Sequence, residues 1–327
     1  MKATAKAPSN IAFIKYWGKK DENLRIPANT SISMNLSAAQ TTTTVDFSKE
    51  YTSDNISFAG GILSEGEVER IITHLERIRN RAGLTWFAKV ATKNTFPKSA
   101  GIASSASGFA ALTVAGCKAA GLSLSERELT IVARLGSGSA SRSIPDGFVE
   151  WQTGDTSDES YAYSLFPHTY WDLRDVLCVV ETGEKKLSSA KGMISASTSP
   201  HWSARLAAIP KKIEKVKTAL QRKNMQLLGE TIEEDCLNMH QVMQTQDSPL
   251  LYWNDTTKAL IVAIQHWRTE GISVYFTIDA GPNVHCICEA KDERAVVDRV
   301  KTISGVQSVL INKPSEGTKL IEEHLFK

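Results

Sequence analysis

The spacing of apolar positions changes along the chain. Over the first fifty residues it follows the two-residue period and β-branched bias of strands, predicted at 2–7, 31–36 and 41–47 around a loop at 16–27. Val68, Ile71, Ile72, Leu75 and Ile78 then recur at helical spacing within 67–82. A strand at 86–92 feeds a small-residue helix at 106–120. Ser125, with Glu128 three residues on, marks a helix start, and that helix ends near Leu135 at a Gly-Ser run. Strand character returns at 148–152 and 176–181. The second half is helical over 204–220, 225–243 and 258–269, and a hairpin of 274–278 with 284–289 turns at Ala280-Gly281-Pro282-Asn283. A helix over 292–303 and a strand over 306–311 follow. This order predicts an α+β sandwich and not a parallel doubly wound sheet, with a boundary near residue 185.

Composition narrows the class. The 327 residues are 42% hydrophobic and 23% charged, enough to bury a sizeable core. The 38 basic and 36 acidic side chains are interspersed, so no basic stripe tracks a nucleic-acid backbone and no nucleic-acid partner is expected. No apolar run reaches the roughly 18 residues that span a bilayer. Lys2 and Lys6 stand among Ala, Thr, Pro and Ser, which supply no signal-peptide core, so a cytoplasmic protein away from membranes is expected. The five cysteines are scattered. Cys286 and Cys288 share one strand face as core thiols, with no second pair at zinc spacing.

Candidate chemistry begins at residues 97–108, Pro-Lys-Ser-Ala-Gly-Ile-Ala-Ser-Ser-Ala-Ser-Gly, which lead straight into Phe109-Ala110-Ala111-Leu112. A side-chain-poor run opening a helix exposes backbone N–H groups where the helix dipole favours an anion. An ordinary surface loop has the same composition. Lys98 stands at the start of the run and no Gly-Lys-Ser/Thr closes it, which disfavours a Walker-type fold. Backbone amides and the hydroxyls of Ser104, Ser105 and Ser107 are left to hold a phosphate.

Four further segments carry polar groups in apolar company. Residues 10–19 place Lys15, Tyr16 and Lys19 among Ile, Phe and Trp, either snorkelling to solvent or lining a cationic pocket. The hydroxyl-rich run 136–143 contains Ser139, Ser141 and Arg142, a fork suited to carboxylate or phosphate. Residues 188–193 hold Ser189 and Lys191. Asp279 ends an apolar strand at a tight turn, where an Asx cap is the ordinary reading. Together, one carboxylate, several cations and a phosphate loop are the parts that position a phosphoryl group against an acceptor. A binding module without turnover is the competing reading.

These segments resemble the mevalonate diphosphate decarboxylase family of the GHMP small-molecule kinases. The match comprises Asn10-Ile-Ala-x-Ile-Lys15-Tyr16-Trp17-Gly18-Lys19, Gly101-x-Ala-Ser-Ser-Ala-Ser107, Gly138-Ser-Ala-x-Arg142-Ser143 and Asp279-Ala-Gly-Pro-Asn283, in order along most of the chain. The resemblance implies a GHMP-kinase fold. Its N-terminal half, 1–185, is β-rich, ribosomal protein S5 domain 2-like, and carries the ATP phosphate loop; a ferredoxin-like α/β sandwich forms the C-terminal half, 186–327. It also implies ATP as co-substrate with Mg2+, a 5-phosphorylated mevalonate as substrate, and a homodimer. Phosphorylation of the tertiary 3-hydroxyl is followed by loss of phosphate and CO2. By position, Asp279 orients or deprotonates the hydroxyl, Arg142 holds the substrate carboxylate and Lys15 neutralises charge near the transferring phosphate. Tyr16, Lys19, Ser139, Ser141, Ser189 and Lys191 meet the substrate. Ser99, Gly101, Ala103, Ser104, Ser105 and Ser107 line the ATP phosphates, with magnesium near Ser105.

The chain departs from the family at Pro145-Asp146-Gly147, where members acting on the 5-diphosphate carry an aromatic residue and glycine. Two like charges about 4 Å apart at an effective dielectric of about 20 repel by roughly 4 kcal/mol. An Asp146 facing the substrate would therefore disfavour a second phosphate. That consideration, and the likeness of the Pro-x-Gly variant to the phosphomevalonate branch, lean toward (R)-5-phosphomevalonate giving isopentenyl phosphate. The alternative is (R)-5-diphosphomevalonate giving isopentenyl diphosphate; a 3-kinase that stops before decarboxylation is a further one.

Overall fold

The structure is a computed structural model that describes residues 1–96, 104–181 and 189–327, without the side chains of residues 190 and 191. The chain opens with β1 (Lys2–Ile14), a ribbon of β2 (Lys19–Asp21) and β3 (Ile26–Pro27), and the long β4 (Ser31–Ser48). Then come β5 (Asn55–Phe58), α1 (Glu65–Ala82), β6 (Phe87–Asn94), α2 (Ser104–Ala119), α3 (Glu126–Gly136), a 3₁₀ turn at Gly138–Ser143, β7 (Phe148–Trp151) and β8 (Ala162–Phe166). The remainder is β9 (Leu173–Val179), the short α4 (Ser189–Gly192), α5 (Trp202–Arg222), α6 (Met225–Thr245), α7 (Asp255–Thr269), the hairpin β10 (Val274–Thr277) and β11 (Val284–Glu289), α8 (Glu293–Val300), β12 (Ser308–Asn312) and β13 (Lys319–Ile321).

Two sheets organise these elements as the α+β reading expects. The first runs β13-β1-β4-β6-β5, with β7 on β4 and β8 on β7; the second runs β10-β11-β9-β12 and is antiparallel throughout. Residues 31–36 and 41–47, read as two strands, belong to the single strand β4. Its pairing with β1 slips between Pro8 and Ser9, where the partner jumps from Gln40 to Leu36. Proline cannot donate to the ladder and sits at such an irregularity, which is why the expected strand stopped at Ala7 while β1 continues to Ile14. The threonine run forms cross-strand hydroxyl pairs, Thr4 with Thr44 at 2.7 Å and Thr43 with Thr92 at 2.9 Å.

Helix α2 lies close on the first sheet because Ala106, Ala110, Ala111 and Ala115 present almost no side chain, and all four are buried. The two halves share one hydrophobic cluster: Ile11, Phe13, Ile32 and Met34 pack with Leu173, Leu177, Ile209, Val216 and Ile287. The sheets also exchange chain across residue 185. Strand β9 precedes that position yet is central in the second sheet, and β13 returns to pair with β1. Cys286 and Cys288 are buried thiols, with Cys286 Sγ 3.7 Å from Cys178 Sγ.

Helix α6 approaches β10 at Gly229, where an added Cβ would lie 2.0 to 2.3 Å from ring atoms of Tyr275. The contact sets the height of the helix over the strand that leads to Asp279. Gly229→Ala forces overpacking and is expected to lower stability by roughly 1–3 kcal/mol in urea denaturation.

Candidate active site

Lys15 is the first residue beyond β1, and its side chain is 1% exposed. Its ammonium lies 2.7 Å from Asp279 Oδ1, a carboxylate that is 35% exposed and so open to solvent. The turn that presents Asp279 is held from behind. Gly281 N–H donates to the Asp279 carbonyl at 2.8 Å, Thr257 Oγ1 donates to the Pro282 carbonyl at 2.6 Å, and Asn283 Oδ1 accepts from Val180 N–H at 2.8 Å. Ile278 N–H donates to Cys236 Sγ at 3.2 Å; burial pushes that thiol up to about 12, so it accepts as a neutral group.

Arg142 is 3% exposed on the 3₁₀ turn. Its Nη1 donates to Ser31 Oγ at 2.6 Å and its Nη2 to Asn10 Oδ1 at 3.3 Å, with the guanidinium 5.8 Å from the Trp151 ring centre. Desolvation pushes it down to about 10 against the opposing pull of Asp279, so it stays cationic at neutral pH. Its Nε is buried without a hydrogen-bond partner among the described residues. The Asn10 amide also donates to the Ser139 carbonyl at 3.1 Å and to Ser143 Oγ at 2.8 Å, which ties β1 to this turn.

Tyr16 packs edge-on against Trp151 at 4.7 Å, and burial holds its phenol above the ordinary tyrosine range. Lys19 pairs with Glu22, three residues on in the turn between β2 and β3. Ser141 is buried and donates to the Gly138 carbonyl at 2.9 Å, shaping the turn. Ser189 opens α4; the Lys191 side chain lies outside the described residues, as do Ser99, Gly101 and Ala103. Ser104 and Ser105 are half-buried at the start of α2, and Ser137 Oγ donates to Ser105 Oγ at 3.3 Å. Ser107 turns inward, fully buried and 2.7 Å from Thr41 Oγ1. The helical period places it on the core face while Ser104 and Ser105 point outward.

Several groups escaped the sequence reading. A cleft beside Ser104 and Ser105 is walled by Phe58, Leu63, Ile71, Phe109 and Leu112, with Glu67, Arg70 and Asn94 at its polar positions. These residues come from four separate elements, so spacing gave no signal. Asn10 stood within the 10–19 segment with no role of its own, and Asn29 lies in the bend between β3 and β4, where its Pro-Ala-Asn-Thr context gave no signal. Asp146 behaves differently from the expectation placed on it. Its carboxylate lies 2.9 Å from His168 Nδ1, and the neighbouring Gly147, at φ +69°, would carry a Cβ 2.4 Å from the His168 and Phe166 backbone. Pro145-Asp146-Gly147 is a packed turn whose carboxylate has its own partner.

Two family profiles cover nearly all of this chain: the diphosphomevalonate decarboxylase-like N-terminal domain at residues 7–162 and the mevalonate 5-diphosphate decarboxylase C-terminal domain at 176–323. The chain belongs to the diphosphomevalonate decarboxylase family. The enzyme of Aspergillus fumigatus is 34% identical over 326 residues, spanning 93% of this chain and 81% of its own. The mevalonate diphosphate decarboxylase of Staphylococcus aureus superposes with a TM-score of 0.94 at 38% identity, over 98% of both chains. MDDEF in complex with MVAPP, AMPPCP and magnesium superposes at 0.93 with 37% identity, over 99% of both. Family membership carries the GHMP-kinase fold. Among the described residues no helix is long and apolar enough to cross a membrane.

Two histidines are buried in the core. His240 beside Ile278 and His74 against Phe109 are each pushed down to about 3, mainly by desolvation, and fold as neutral imidazoles. The unfolded chain takes up protons below pH 6.5 that the folded chain refuses, so stability falls as pH drops from 6.5 toward 3 and levels off below that. At pH 5 each histidine is expected to remove about 2 kcal/mol. Urea denaturation at pH 7 and pH 5 checks this, with His74→Phe expected to flatten the pH dependence.

Proposed function

We propose that this chain is an ATP-dependent decarboxylase of (R)-5-diphosphomevalonate, producing isopentenyl diphosphate, carbon dioxide, ADP and phosphate. The observation that carries the reading is Asp279, held 2.7 Å from a buried lysine and electrostatically coupled to the buried Arg142. The lean toward the monophosphate gives way on two counts. The relatives named above are diphosphomevalonate decarboxylases by name, and Asp146 is engaged by His168.

A tertiary alcohol is a poor nucleophile and hydroxide a worse leaving group, so phosphorylation of the 3-hydroxyl must precede carbon–carbon cleavage. Asp279 orients that hydroxyl and takes its proton as oxygen bonds the γ-phosphorus and ADP departs. Lys15 fixes the carboxylate and balances charge on the phosphoryl oxygens. In the second step the bond to the carboxylate breaks, its electrons form the alkene, and the 3-phosphate leaves with its bonding pair. Arg142 orients the carboxylate without neutralising it by proton transfer, since it remains cationic. Tyr16, Lys19 and Ser139, with Ser189 and Lys191, surround the 5-diphosphate end.

Ser104 and Ser105 at the head of α2 receive the ATP phosphates, together with Ser99, Gly101 and Ala103, and the apolar cleft beside them receives the base. Ser107 and Ser141 shape the backbone from inside. Among the described residues no group of three or more His, Cys, Asp or Glu is placed to hold a metal. Magnesium keeps phosphate and water oxygens and needs only one or two protein ligands, one of which Ser105 would supply at the head of α2. When bound, magnesium neutralises the β- and γ-phosphate oxygens. The N-terminal half, 1–185, is the nucleotide half and 186–327 supplies Asp279; a cytoplasmic homodimer completes the reading on the family resemblance.

Incubation with ATP, magnesium and either the 5-diphosphate or the 5-phosphate, following CO2 and ADP, is expected to give both products with a strong preference for the diphosphate. ADP without CO2 would sink the decarboxylase reading. Asp279→Asn is expected to lose both products by at least a thousandfold, and ADP release at an undiminished rate would contradict the role of Asp279.

A further inference from the structure

Lys15 leaves the sheet at a point where its own peptide groups need new partners. The β1–β4 ladder ends at Ile14 opposite Ile32, so Lys15 N–H and C=O have no strand to bond. Lys15 N–H donates to Asp235 Oδ2 at 2.7 Å. Its carbonyl accepts from Arg205 Nη2 at 3.1 Å and from Asn29 Nδ2 at 3.0 Å. Arg205 closes the ring by donating through Nη1 to Asp235 Oδ1 at 3.0 Å. Arg205 on α5 and Asp235 on α6 are each 0% exposed, and Lys212 Nζ lies 3.5 Å from Asp235 Oδ1.

A buried ion pair contributes little net stability, because desolvating both charges offsets their attraction. What this pair adds is geometry. A bidentate fork and a carboxylate, fixed to each other and to two packed helices, grip the two peptide groups on either side of the Lys15 Cα. From that Cα the Lys15 side chain runs to Asp279, 2.7 Å away. An error at the backbone would be carried through to the ammonium, and reacting groups tolerate displacements of well under an ångström.

We propose that Asp235 and Arg205 are positioning residues, which clamp the Lys15 backbone so that its ammonium meets Asp279 in the geometry that phosphoryl transfer requires. The proposal rests on the functional reading above for its consequence in turnover, and on the clamp alone for its consequence in Lys15 placement.

The test is the double variant R205M/D235N, which removes both charges so that neither is stranded. Lys212 keeps Glu234, 3.4 Å away. Three quantities are read: melting temperature, kcat and KM on the diphosphate, and the acetylation rate of Lys15 relative to other lysines by mass spectrometry with acetic anhydride. A clamp predicts that kcat falls at least tenfold with KM within twofold, and that Lys15 is acetylated at least fivefold faster. Arg205→Lys, which keeps the ion pair but not the fork, is expected to recover part of kcat. A purely structural role predicts a lower melting temperature with kcat unaltered below it. A folded variant with kcat within twofold of the parent overturns the proposal. Should the double variant not fold, Arg205→Lys carries the same readouts, with kcat and labelling both at parent values overturning it. A parent inactive on both substrates fails the functional reading instead; labelling then decides the clamp alone, and an unchanged Lys15 rate overturns it.

Discussion

A lysine ammonium taken almost completely out of water must meet a counter-charge, and here the counter-charge comes from the other half of the chain. Lys15 follows a strand of the first sheet and Asp279 a strand of the second, 264 residues away. Removing that carboxylate would strand a buried ammonium, while the 35% exposure of Asp279 leaves its own charge partly solvated. The halves are therefore fixed relative to each other at the place where substrate binds. The shared cluster of Ile11, Phe13, Leu173 and Ile209, and the peptide grip by Arg205 and Asp235, act in the same direction.

The surrounding polar groups divide by whether their charge must persist. Arg142 survives burial because a guanidinium starts so far above neutrality that being pushed down to about 10 leaves it protonated. Histidine has no such margin, so His74 and His240 fold neutral in comparable surroundings and serve as ring contacts. The cleft thus holds permanent cations opposite a carboxylate, with titratable imidazoles excluded from the charge balance near neutral pH.

Much of this was legible in residue order. The 3.6-residue spacing from Val68 to Ile78 and the Ser125–Glu128 capping box mark α1 and α3 because those signals are local. Lys15 stood out as a charge in apolar company and Arg142 as one charge in a hydroxyl-rich run, and both prove to be buried, while Asp279 stood out at the end of an apolar strand. Long-range geometry was the missing ingredient. The direction of the Asp146 carboxylate depends on His168, 22 residues on, and the inward turn of Ser107 depends on Thr41 across the sheet. Arg205 and Asp235 sit in ordinary amphipathic helices, where a charged residue reads as solvated surface until the packing of α5 on α6 is known.

The return of β13 to β1 bears on how the molecule is made. Thr4, Ala5 and Lys6 find their outer partners only in Ile321, Leu320 and Lys319, and Leu36 bridges to Pro314. During synthesis from the amino end, the outer edge of β1 stays open until residues 319–321 have emerged. Until then the nascent chain carries an unpaired edge strand, the feature most prone to pairing with a neighbour. Lys2 and Lys6 lie on that strand, and charge along an open edge discourages such pairing.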